Sequence, residues 1–263
     1  MLTSIASSLG IGSGINTKTL VAELAANARE AREFTIVGRE RSNGGRISAI
    51  ASLKDGLASL VKDYTESASG VDAAGLKKLV NAFVSGFNVL QGSLADSVRG
   101  GSVLVAAGAL SGDSAARAVQ SEFRRLPQLE LATTGTYKSL ADIGIGVSRT
   151  GALTLDSLKF EAAVAAAPTE VSALLVNNTG LTSALGAMRD RLTLGNGALS
   201  VASARYERIG TAIARERVRM EDDNARLVDR LTKSFGGMDR RVAQLKAVQS
   251  YMEQQVAAWN ASR

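Results

Sequence analysis

The chain contains neither cysteine nor histidine among its 263 residues, so it lacks the side chains that most often carry out chemistry. Without them there is no thiol nucleophile, no disulfide, no serine–histidine–aspartate triad and almost no common zinc or haem site. A serine–lysine arrangement stays open, although no spacing points to one. We therefore expect no catalytic residue, no cofactor and no metal site.

A glycine-rich run near the N-terminus has the residue types of a phosphate-binding loop. The run is GIGSGINTKT, residues 10–19. A phosphate loop needs glycine immediately before its lysine, where this chain has Thr17, and the dinucleotide fingerprint needs a third glycine, where it has Ile15. We interpret the run as a terminal loop leading into a helix that Thr17 caps.

The charged residues favour a solvated surface over a binding site. The acidic run 221–223 lacks the alternating oxygen ligands and the glycine of a calcium loop. The net charge of +6 raises the possibility of nucleic acid, but acidic and basic residues alternate along 205–263 and form no basic stripe. Residues 1–15 lack the basic start of a signal peptide, and no stretch of about 18 apolar residues predicts a membrane helix.

The spacing of apolar residues predicts a mainly α fold, a helical bundle with a small β-hairpin and terminal coiled-coil helices. Alternation at Ile143, Ile145 and Val147, a turn at 149–151 and a return over 152–155 predict the hairpin. A break is expected at 42–45 and a hinge at Gly236-Gly237. The predicted helices span 18–34, 46–65, 76–98, 114–126, 156–167, 169–176 and most of 181–260, with Asp113 or Ser114 and Asp156 at helix starts.

Heptad seams lie near both ends of the chain. The C-terminal seam keeps 4,3 spacing over four heptads, with Gln249 as its polar member. Neither seam can bury its apolar side alone, so each must pair with the other or with further copies. The predicted C-terminal pairing residues are Leu231, Phe235, Met238, Val242, Leu245, Met252, Val256 and Trp259, and their N-terminal counterparts are Leu20, Leu24 and Ala28.

Three stretches in this order resemble one known family. The first is IASSLGIGSGINT, residues 5–17, and the last runs from FGGMD at 235–239 to YMEQQ at 251–255. Between them lie LADIGI at 140–145 and GALTLD at 151–156, preceded by LSGDS at 110–114. Together they resemble the flagellar filament cap protein family, also called hook-associated protein 2.

The resemblance implies a structural protein rather than an enzyme. It implies a coiled-coil base formed by 1–41 and 231–263, and a helical leg domain over 42–230. It further implies a ring of copies at the tip of the bacterial flagellum that helps flagellin fold and insert. The implied partners are copies of itself, flagellin, neighbouring axial proteins and an export chaperone at the C-terminus. Export would use the flagellar type III apparatus without a cleaved signal peptide.

One departure from the family is large. Its members carry distal domains between the two halves of the leg, whereas here residues 65–75 form a short linker between two predicted helices. A naturally short cap and a deletion both stay open, and any role that needs the distal domains is in doubt. The alternatives are another flagellar axial protein, such as a junction or flagellin-like protein, and, from a different class, a coiled-coil protein that binds nucleic acid.

Overall fold

The computed structural model describes residues 16–72, 74–176 and 180–261. The chain divides into two compact units. The first consists of Met1–Arg41 and Thr211–Arg263, and the second of Ser42–Gly210. The sequence-based division into 1–41, 42–230 and 231–263 places residues 211–230 with the leg, whereas here they belong to the first unit. The assignment of these segments to a base and a leg stays a prediction.

Helices account for most of the described residues, which confirms the predicted mainly α class with a small hairpin. The first helix begins at Thr17. The first and last helices are the longest, and several shorter helices lie between them in the chain. In chain order the helices are α1 (Thr17–Ala68), α2 (Leu76–Val98), α3 (Ser114–Arg125), α4 (Ser157–Ala166), α5 (Pro168–Val176), α6 (Leu181–Thr193) and α7 (Ala198–Ala261), with a 3-10 turn at Leu126–Gln128.

The predicted hairpin is present as two antiparallel strands, β1 (Ile145–Val147) and β2 (Leu153–Leu155). Ile145 pairs with Leu155 and Val147 with Leu153. Gly151 lies in the turn with a φ of +86°, a conformation that glycine adopts without strain. The side chain of Asn88 on α2 exchanges two hydrogen bonds with the backbone of Leu153, so the hairpin is fastened to the helices.

The core of the second unit lies between α1, α2 and the shorter helices. The part of α1 that was predicted as a separate helix over 46–65 faces this core, because Ile50, Leu53, Leu57, Leu60 and Tyr64 are all buried. On α2 the buried positions also follow helical spacing. They are Leu76, Leu79, Val80, Phe83, Phe87, Leu90, Gln91 and Leu94.

The break expected at 42–45 is wrong, because α1 is helical throughout this stretch. Tertiary contacts within the second unit outweigh the local cost of two glycines, about 1 kcal/mol each relative to alanine. Buried Asn43 donates a hydrogen bond to the carbonyl oxygen of Tyr206 at 2.9 Å. Gly45 faces Ala109, where an added Cβ would meet the Ala109 Cβ at 3.8 Å.

Two smaller expectations also need correction. α7 continues through Gly236-Gly237, where a hinge was expected, since glycine weakens a helix without ending it. Asn16, not Thr17, caps α1, because the Oδ1 atom of Asn16 accepts a hydrogen bond from the amide of Thr19 at 3.1 Å. Of the alternatives Asp113 and Ser114, Asp113 caps α3, and Asp156, predicted at a helix start, caps α4; each carboxylate accepts a hydrogen bond from at least one amide of the first turn.

Asp113 joins α3 to α7 within the second unit. Its buried carboxylate accepts hydrogen bonds from the amides of Ala115 and Ala116, from the Tyr206 hydroxyl and from Arg205. Burial alone raises the pKa of Asp113, but these hydrogen bonds and the Arg205 charge outweigh it and hold the pKa below its usual value. The ionised form is therefore stabilised by folding.

Replacing Asp113 by asparagine should lower the free energy of unfolding at neutral pH by about 1.5–3 kcal/mol, the usual contribution of hydrogen bonds to a charged group. Because the folded-state pKa of Asp113 is depressed, this advantage is present above the unfolded pKa of about 3.9 and is lost as pH falls through the folded value. Denaturant unfolding of both proteins across acidic pH measures it. A difference between them that stayed constant down to strong acid would contradict this assignment.

Candidate assembly surfaces

In the first unit, α1 and α7 pack in antiparallel directions. Glu40 lies opposite Arg217, and Arg32 opposite Asp223. Towards its N-terminus α1 buries Val21 and Ala25, which line a shared groove with Val228, Thr232 and Phe235 of α7. The buried contact residues of this helix pair are Thr17, Val21, Ala25 and Ile36 on α1 and Ile213, Met220 and Asp239 on α7.

Ion pairs line the edges of this helix pair. Arg217 binds Glu40 with two hydrogen bonds, from Nε at 2.9 Å and from an Nη atom at 2.7 Å. The hydrogen bond from Arg217 holds the pKa of the Glu40 carboxyl below its usual value, although burial acts in the opposite direction. Arg39 pairs with Glu216 at 2.5 Å. Charges of both signs are thus used to set the register of α1 against α7.

The acidic run 221–223 belongs to this paired surface. Asp223 contacts Arg32 at 3.4 Å, and both side chains are largely exposed. Within the described residues no group of three or more potential ligands could hold a metal ion. No helix in the same residues combines the length and apolar character needed to span a bilayer.

The structure brings together some of the predicted seam residues and leaves others apart. Leu20, Leu231, Phe235 and Val242 are half-buried, whereas Leu24 and Ala28 are exposed. The contacts of α1 centre on Val21 and Ala25, one residue beyond the predicted Leu20 and Leu24. Repetition at every fourth position, from Thr17 through Val21 to Ala25, was the signal available in the sequence. The pairing roles assigned to these residues stay predictions.

Beyond Val242, α7 presents an apolar face to solvent. Leu245 is 70% exposed and Trp259 is 67% exposed, although both are large apolar side chains. Val248 lies on this face and is followed in the chain by Gln249. The side-chain amide nitrogen of Gln249 donates a hydrogen bond to the Glu253 carboxylate at 2.9 Å. We call this set the terminal face; its members are Leu245, Val248, Met252, Val256 and Trp259.

The terminal face is unusual for a helix in water. Contiguous exposed apolar side chains on one side of a helix are typical of interaction surfaces, which makes the terminal face a candidate assembly surface. Each fully buried aliphatic or methionine side chain would contribute about 1.5–3 kcal/mol relative to exposure. The described part of α1 begins at Thr17, opposite Phe235, and does not extend along this face.

The family model for the C-terminal part of flagellar hook-associated protein 2 matches residues 70–247, well over half of the chain. The chain belongs to the flagellar hook-associated protein 2 family. The matched region begins just after the end of α1. It contains the rest of the second unit and most of α7, including Leu245. The family expected from the sequence motifs is therefore confirmed.

Relatives in the flagellar hook-associated protein 2 family are similar over part of their length. One from Aeromonas caviae is 34% identical over 134 residues, which cover 49% of this chain and 29% of that protein. The B-type protein from Pseudomonas aeruginosa is 25% identical over 213 residues, covering 77% of this chain and 44% of that protein. The chain thus spans less than half the length of these relatives.

One solved structure is also similar to part of the chain. It is a crystal structure of the D1-D2-D3 domains of the flagellar cap protein FliD from Escherichia coli. The two share 27% sequence identity with a TM-score of 0.41, over 48% of this chain and 35% of the other.

An aspartate should be tolerated on the terminal face but not between α1 and α7. Val21→Asp would place a carboxylate at a position that is 5% exposed, so we expect it to destabilise the first unit by more than about 3 kcal/mol. Leu245→Asp should change stability by less than about 0.5 kcal/mol. Thermal unfolding followed by far-UV circular dichroism compares them, and equal destabilisation by both would show that Leu245 is packed.

Proposed function

We propose that this chain is a structural, non-catalytic cap protein at the tip of a bacterial flagellar filament. Membership of the flagellar hook-associated protein 2 family carries the proposal. The solved relative from Escherichia coli is itself described as a flagellar cap protein. The flagellum tip is accordingly the proposed location, reached through the flagellar type III apparatus.

The proposed mechanism uses the two units differently. The second unit, with its continuous buried core, would serve as the rigid leg that stands beside the same unit in neighbouring copies. The first unit would dock into the filament end through the terminal face, since its own helix pair leaves Leu245 and Trp259 exposed. In this arrangement copies form a ring, and the ring gives incoming flagellin a protected space in which to fold and insert.

Weak individual contacts suit such a cap, because it must move as each subunit is added. Within the chain, the exposed pairs Arg32–Asp223 and Arg39–Glu216 contribute about 0–1 kcal/mol each, and exposed charges of this kind would make similarly weak contacts with neighbours. The terminal face is also suited to binding an export chaperone before assembly, since one apolar surface can be covered by different partners in turn. Flagellin, neighbouring axial proteins and the chaperone are the proposed partners, together with further copies of the chain.

The Leu245→Asp variant should fold but fail to support filament growth. It would be produced in the flagellated bacterium that encodes the chain, after removal of the chromosomal copy. We expect filaments to be short or absent and flagellin to accumulate in the medium, because a charge on the terminal face opposes its burial. Filament length by electron microscopy and free flagellin in the medium are the measurements.

Leu158→Asp is the matched control, since Leu158 is an 80% exposed leucine of the second unit and does not belong to the terminal face. It should support filaments of normal length. Normal filament growth in cells that lack the chain altogether would contradict the proposed function. If both variants reduced filament length equally, the role proposed for the terminal face would be contradicted.

A further inference from the structure

The terminal face forms a shallow groove along one side of α7. The residues that line this groove recur at spacings of three and four, which is the spacing of the holes that receive side chains from a facing helix in a coiled coil. The groove is therefore shaped to receive a second helix. Its lining residues are Leu245, Val248, Gln249, Met252, Glu253, Val256, Ala257 and Asn260.

The edge of this groove carries two opposite charges. Lys246 and Glu253 each follow a core position of the seam, so both occupy position e of a heptad, and both are exposed. They lie seven residues apart, about 10 Å along the helix, which is too far for an ion pair within one chain. The core positions between and beside them are Leu245 and Met252 at d and Gln249 and Val256 at a.

Both charges can accept a partner from outside the chain. Among the described residues Lys246 has no ion pair. Glu253 accepts a hydrogen bond from the neutral side-chain amide of Gln249 at 2.9 Å. A carboxylate has two oxygens and can accept several hydrogen bonds, so this bond leaves room for an ammonium group.

The same hydrogen bond settles the position of the polar residue in the seam. It draws the amide of Gln249 towards Glu253 at the edge of the groove, while the methylene stem of Gln249 covers the groove itself. Gln249 can therefore pack against an apolar side chain and does not need a second glutamine opposite it.

We propose that the terminal face of the free chain pairs with the terminal face of a second copy, with the two helices antiparallel and Gln249 opposite Met252 of the second copy. In this register Leu245 lies opposite Val256 of the other copy. Lys246 of each copy then lies beside Glu253 of the other, so two identical ion pairs form at once. Both copies use the same surface, and the contact closes as a two-fold dimer.

The charges favour this arrangement over a parallel one. In a parallel pair, position g of one helix lies beside position e of the other, which would bring the exposed Arg241 next to Lys246 of the second copy. Like charges at that point oppose pairing. In the antiparallel register the charged edge is complementary to itself, and this is the reason to assign a second copy as the partner.

The paired segment is short, so the dimer is weak. Residues 245–256 extend over about 18 Å of helix. The register places Phe235 of one copy past residue 261 of the other, so the described part of α1 does not obstruct the pair. Dilution separates the copies and exposes the terminal face. The inference concerns the free chain and does not depend on the proposed function, although a filament end that uses the same face would compete with the second copy.

Single cysteines test the register cleanly, because the chain has none of its own. Full-length Gln249→Cys and Met252→Cys proteins would be mixed in equal amounts under mild oxidation. We expect the mixed disulfide dimer to exceed its statistical share, because the antiparallel register places position a opposite position d. A parallel pair places like positions together and would give the two homodimers instead. Dominant homodimers, or a mixed dimer at its statistical share, would overturn the proposal.

A charge exchange tests the ion pairs independently. Sedimentation of the full-length chain over a concentration series should show self-association weakened about fivefold by Lys246→Glu or by Glu253→Lys, since each replaces two exposed ion pairs by two repulsions. The double variant should regain wild-type association, because its charges are again complementary. Lys78→Glu is the matched control, an exposed lysine of the second unit, and should associate as the wild type does.

Two results of the charge exchange would overturn the proposal. One is a double variant that associates no better than the single variants. The other is a wild-type chain that stays monomeric at every concentration. Either result would leave the cap function standing, because filament growth in cells is the measurement that decides it.

Discussion

In the part of the chain that the structure describes, α1 covers only part of the length of α7. The contacts of the first unit run from Glu40 and Arg217 to Thr17 and Phe235, and α7 then continues to Ala261. From residue 243 onward every α7 residue whose side chain is described is exposed. One part of α7 is therefore buried against α1, and another part, which carries the terminal face, is exposed. The proposed assembly depends on this difference in exposure along α7.

This constraint separates stability from assembly. The second unit has a continuous core built from α1, α2 and the shorter helices, which accounts for its stability without any contribution from the terminal face. A helical segment whose side chains are exposed depends largely on intrinsic propensity and on side-chain pairs along the helix, which stabilise it only marginally in water. A partner that covers Leu245 and Trp259 would therefore both bind this segment and order it.

Much of the fold could be predicted from the sequence because its signals are local. The caps at Asp113 and Asp156, the hairpin at 145–155 and the buried stripe of α2 follow from residue types at fixed spacings. The break at 42–45 was wrong because the contacts of Asn43 and Gly45 come from residues distant in sequence. Local glycine content cannot report such contacts.

The surfaces were less accessible to sequence analysis. The heptad pattern indicated that α7 has an apolar side. It could not show that the burial of this side ends near Val242. On α1 the buried residues Val21 and Ala25 each follow a predicted seam residue by one position, and the pairing roles of Leu20 and Leu24 stay predictions.

Hydrogen–deuterium exchange along α7 tests the central claim most directly. The free chain and the chain mixed with short flagellar filaments would be compared peptide by peptide. The account predicts rapid exchange of 243–260 in the free chain, slower exchange at 213–239, and protection of 243–260 once filament ends are present. Strong protection of 243–260 in the free chain, or no change on adding filaments, would contradict the claim that the terminal face is an assembly surface.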